Sequence, residues 1–139
     1  MKWFYLFSVS ALLAVSTIFS SAEAEVMVKY RGNKAVAIAH LYQDNSCQPG
    51  TITGRIVKRE FDASGLRLNG FVYEETNGRR GFVNVSIDGI EYRQGMAGLS
   101  NASSALQQLT MVGRRFRADV LYCGAAGRML NLVTRFGNS

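Results

Sequence analysis

Histidine, proline and cysteine are scarce in this chain: of 139 residues, one is histidine, one is proline and two are cysteine. Each scarcity removes a class of chemistry. A lone His40 cannot build a zinc site unaided, and Ser/His/Asp catalysis would rest on that one imidazole. The two cysteines, Cys47 and Cys123, stand far apart without CxxC or Cys/His spacing, which argues against a metal or redox centre. The sequence holds no phosphate-cradling P-loop, no dinucleotide fingerprint, no Gly-x-Ser-x-Gly elbow and no His-Glu-x-x-His. Repeats, low-complexity segments and linkers are absent as well. One apolar run exists and no second follows it, so nothing after the N-terminus is long enough to span a membrane.

That run defines the first 24 residues. Lys2 gives a positive start, an apolar stretch diluted by serines follows, and Ala22-Glu23-Ala24 places small residues at the positions a signal peptidase reads. Residues 1–24 therefore read as a secretory signal peptide, with the mature chain beginning near Glu25. An uncleaved anchor fits less well, because the run is short, serine-rich and without a basic stop-transfer flank. The expected location is periplasmic or secreted. There an isolated pair of cysteines is most simply one disulfide, worth about 4 kcal/mol in the chain-entropy account for a loop of this length.

The mature part is long enough for one domain. It keeps the full formal charge of +6, since Lys2 and Glu23 leave together, and most of its cations are arginines. Arginine's planar fork matches phosphate and carboxylate oxygens. A polyanionic partner such as nucleic acid is one reading of that excess, and a solvated basic surface is the other.

Residues 26–30 read as a strand, and residues 34–42 as a returning strand or a short helix, since alanines and β-branched residues pull in opposite directions. From residue 51 the pattern is β. Residues 51–61 form a long strand whose apolar parity slips, as a bulge would produce, with Gly54 the natural place to bend. Residues 66–75 and 79–87 form two more strands around Asn77-Gly78, which predicts a two-residue turn with positive φ at both positions. Residues 88–98 read as irregular, 102–111 as a short helix capped from Ser100–Ser103, and 114–123 and 128–136 as the last strands. Three strands, a helix and two strands is the layout of a five-stranded OB-fold barrel over residues 51–139, with residues 25–50 as an extension packed on it.

Three short stretches carry a family resemblance. Gly54-Arg55-Ile56-Val57 leads to Asp62; Val83 to Ile87 leads to Asp88-Gly89-Ile90-Glu91; and Gly127-Arg128-Met129-Leu130 opens the last strand. On these the chain resembles the staphylococcal-nuclease-like (thermonuclease) branch of the OB-fold. The resemblance implies a Ca²⁺ site with Asp88 and Asp62 as ligands, Glu91 beside the attacking water and Arg128 on the phosphate. The pattern is broken at three places: Ser64 stands at a calcium carboxylate position, Ile90 replaces a proline and Val83 replaces the first phosphate arginine. Ca²⁺ wants many oxygen ligands, and a transition-state arginine carries several kcal/mol of the barrier, so these changes point to a degraded catalytic site.

The binding candidates are Arg67, Arg79, Arg80, Arg115 and Arg117. Arg115 and Arg117 flank Phe116 on one strand, as a cationic stripe on an OB-fold or as an outer sheet face paired with Asp119 or Glu74. Phe71 and Tyr73 read as core more than as a stacking platform. Taken together these features predict an exported anion-binding module with no cofactor. A calcium-dependent nuclease is the first alternative and a protein-interaction or inhibitor module the second.

Overall fold

The computed structural model describes residues 26–136, with side chains through residue 131. The proposed signal peptide lies outside the described residues. Among the described residues, seven strands form one sheet. The strands are β1 (Met27–Arg31), β2 (Lys34–Ala39), β3 (Gln48–Phe61), β4 (Leu68–Glu74), β5 (Arg80–Asn84), β6 (Arg115–Tyr122) and β7 (Arg128–Phe136). One helix, α1 (Ile90–Leu109), follows β5. The strand order is β1-β2-β7-β5-β4-β3-β6, and an additional pairing of β6 with β7 closes β3-β4-β5-β7-β6 into a five-stranded mixed barrel, with β5 and β7 parallel at Asn84 and Met129. This is an OB-like layout, mostly strand with one helix, as the sequence predicts.

Alternation fills the barrel. Ile52, Ile56, Phe71, Tyr73, Val83, Phe116, Ala118, Val120 and Leu130 are buried together. Phe116 meets Phe71 and Tyr73 edge-on at centroid distances of 5.3 and 5.6 Å. Helix α1 adds Ala102, Ala105, Leu106 and Leu109 at helical spacing. β2 is a strand, settling the ambiguity of residues 34–42; it pairs with β1 and meets β7 at Ile38 and Val133.

The bulge expected from the parity slip in β3 lies between Ile56 and Lys58, and two other expectations are corrected. A Cβ at Gly54 would stand 2.7 Å from the Glu74 carbonyl, so this glycine permits close approach of β4. The β4–β5 loop has three residues, 76–78: Gly78 N–H donates to the Glu75 carbonyl and Glu75 N–H to the Arg79 carbonyl. Only Gly78 has positive φ there, 82°, as in a type I turn ending in a bulge. The helix begins at Ile90, well before Ala102, and a break at Gly95 (φ 69°, ψ −173°) divides it. Ser100–Ser103 thus lie inside the helix rather than at its cap. Fully buried Ile90 and the Gln94 amide, donating to the Val26 carbonyl at 2.9 Å, anchor the first segment. Those are tertiary contacts, invisible to local propensity.

Candidate anion-binding face

Because Ile56, Tyr73 and Phe116 point into the barrel, their neighbours Arg55, Glu74 and Arg115 point outward. The pairing register lines these up. Arg115 on β6 stands opposite Arg55 on β3, Arg55 opposite Glu74 on β4, and Glu74 opposite Arg80 on β5. One transverse row across four strands thus holds three guanidinium groups and a single carboxylate. Glu74 serves two of them: Arg80 Nε donates to Oε2 at 3.0 Å and Arg55 Nη2 to Oε1 at 3.5 Å. The hydrogen bond from Arg80, helped by the charges of Arg80 and Arg55, holds the Glu74 carboxyl below its ordinary value against the opposing effect of burial. The expected pairing of Glu74 with Arg115 or Arg117 is therefore replaced by pairing with Arg55 and Arg80. Among the described residues no salt bridge reaches Arg115.

Arg117 lies on the same outer face, opposite Thr53 on β3 and in register with Arg135 on β7. Thr51 Oγ1 donates to Asp119 Oδ1 at 3.0 Å further along. Arg79 is exposed just before β5. Phe71 and Tyr73 are fully buried, and the partly exposed aromatic of this region is Phe82, on β5 opposite Val72.

Arg128 sits at one end of the barrel rather than on the row. Its guanidinium donates to the Tyr73 hydroxyl and lies over the rings of Tyr73 and Tyr122, 5.8 and 5.5 Å from their centroids. Burial raises the Tyr73 pKa above 10, with the Arg128 charge working the other way. Cys47 and Cys123 are joined as a disulfide, with Cα atoms 4.6 Å apart. It packs with Leu121 and Met129 in a small cluster outside the main core.

The acidic candidates are engaged elsewhere. Asp62 closes the β3–β4 turn, accepting from Ser64 Oγ at 2.6 Å and from the Arg67 backbone at 3.3 Å. The Ser64 hydroxyl is the main cause of its lowered pKa, with burial opposing. Asp88 accepts from Arg67 Nη1 at 3.0 Å. Glu91 is exposed in the first turn of α1. Among the described residues no three His, Cys, Asp or Glu side chains gather closely enough to hold a metal ion. The structure thus joins Arg67 with Asp62 and Asp88, and places Arg80 and Arg115 on one row. Arg55 was not among the sequence candidates. Its signal is the pairing register, which no local pattern carries.

The chain matches no known protein-family model, and searches against curated proteins and solved structures return no match to it.

Proposed function

We propose that this chain is an exported anion-binding module, built on an OB-like barrel that resembles the staphylococcal-nuclease-like family, and that it binds a polyanion such as nucleic acid without cleaving it. The observation that carries this reading is the pair Arg55 and Arg115, two like charges directly opposite in adjacent strands. Such pairs are destabilising in a sheet, typically by a few tenths of a kcal/mol to about 1 kcal/mol. A bound polyanion turns that repulsion into attraction. The row crosses four strands, so it spans roughly 14 Å at the usual strand spacing, enough for several charges of a linear polymer. Arg117 extends the basic surface along β6. Export rests on residues 1–24 and on a disulfide of the kind that persists in oxidising compartments.

Binding without cleavage is supported by how the carboxylates are used. Asp62 already holds its own turn, accepting from the Ser64 hydroxyl and the Arg67 backbone.

The test is fluorescence anisotropy of a single-stranded oligonucleotide, with heparin as competitor, over a series of salt concentrations. Affinity should fall linearly on a log–log plot against salt. Arg55→Ser and Arg115→Ser should each weaken binding and reduce that slope by about one unit. Glu74→Gln should strengthen binding, because it removes the one anion of the row and releases two arginines. Arg31→Ser, at the end of β1, serves as control. Salt-insensitive binding, or equal losses in the control and the row variants, overturns the reading. Calcium-dependent cleavage abolished by Glu91→Gln would establish the nuclease alternative instead.

A further inference from the structure

Between Arg93 and Arg114 the chain carries no charged residue, although this stretch includes the outer flank of α1. A solvated helix face is ordinarily charged. Here Ser100, Ser103 and Ser104 present hydroxyls, and with Gln107 they form one wall of a cleft of about 440 Å³. The β3–β4 turn supplies the facing wall through Leu66 and Arg67, and Ile87, Met96 and Leu99 add apolar surface. Gln107 Nε2 donates to the Leu66 carbonyl at 2.9 Å and ties the two walls together. Leu66 and Met96 are largely exposed, at 72% and 65%. Two apolar lips therefore stand in water beside a groove that could bury them.

The cleft has one charge. Arg67 lines it, and no carboxylate does. Asp88, the ion-pair partner of Arg67, lies outside the lining with its side chain 77% exposed. An exposed pair of this kind contributes little, so an incoming anion can displace Asp88 at small cost.

We propose that this cleft is a second ligand site, separate from the arginine row, for a small amphipathic carboxylate. Its apolar body would lie on Leu66, Met96 and Leu99, and its head would take the Arg67 guanidinium from Asp88. The planar fork of arginine suits a carboxylate, and methionine adapts to irregular apolar bodies. The serine hydroxyls can donate as well as accept, so they do not oppose a negative head.

The test follows backbone amide shifts of the oxidised, isotope-labelled protein by NMR during titration with decanoate, with decanol as the neutral control and decyltrimethylammonium as the cationic one. Decanoate should perturb residues 66–67, 87–88 and 96–107 and bind more tightly than either control. Arg67→Gln should weaken decanoate by about threefold, the scale of a half-exposed ion pair, and leave decanol unchanged. Asp88→Asn should tighten decanoate, because it removes the competitor for Arg67; a merely structural ion pair would not give that gain. Arg55→Ser should leave decanoate affinity unchanged while it weakens the oligonucleotide, which separates this site from the polyanion face. The proposal is overturned if decanoate does not bind, if decanol binds as well, if the shifts map to β3 and β6, or if Arg67→Gln binds normally.

Discussion

A Cβ on Gly81 would collide with Arg128 and stand 2.6 Å from the Tyr73 hydroxyl. Gly81 therefore makes the room in which a half-buried guanidinium reaches a buried phenol. Replacing it with alanine must push Arg128 or Tyr73 aside in a filled core, at a cost of about 1–3 kcal/mol. Chemical denaturation of Gly81→Ala checks this, and wild-type stability would show that Arg128 and Tyr73 have room to move aside. Tyr73 also sets a limit at high pH. Its folded pKa is raised above the ordinary 10, so its contribution is complete below the unfolded value and is lost as pH rises through the folded one. An alkaline melting series should show this loss in the wild type and lack that component in Tyr73→Phe.

At the scale of elements, β3 decides most. It pairs with β4 on one side and β6 on the other, and so sets Arg55 between Glu74 and Arg115. Gly54 is where the backbone of β4 comes close. Gly54→Ala should cost about 1–3 kcal/mol through overpacking against the Glu74 carbonyl, and should weaken polyanion binding by moving the adjacent Arg55. Circular dichroism under denaturant and the anisotropy titration read the two effects separately. Retained stability with retained binding would remove the role assigned to Gly54. The arginine clusters 79–80 and 114–117 were legible in the sequence as basic, yet their partners were not. Glu74 lies next to Glu75 and near the hairpin turn in sequence, and only strand pairing reveals that it holds Arg55 and Arg80. The early start of α1 was hidden for a similar reason, since Gly95 and Gly98 lower helix propensity there and buried Ile90 compensates through contacts distant in sequence.

For the molecule as a whole, the disulfide joins positions 76 residues apart and ties the loop before β3 to the end of β6. Converting both cysteines to serine should cost about 2–5 kcal/mol, as removal of a native disulfide from a small domain typically does. Thermal melts with and without reductant measure the same quantity on the wild type. An unchanged melting temperature would mean that the hydrophobic core alone sets stability. The formal charge of +6 acts at this scale too, because it draws any polyanion toward the surface before a particular row engages it.

The sequence by itself determined the β-rich character of the chain after residue 51, a helix between the third and fourth strands of a five-stranded barrel, and the pairing of the two cysteines. Those features follow from periodicities of a few residues, from turn chemistry and from there being a single cysteine pair. Tertiary structure alone decided the register that sets Arg55 against Arg115, the engagement of Asp88 by Arg67, the extent of α1 and the cleft beside it. Each depends on which distant segments meet. One residue of slip along a strand would turn every side chain to the opposite face, so these features are fixed by the packed whole rather than by any local stretch.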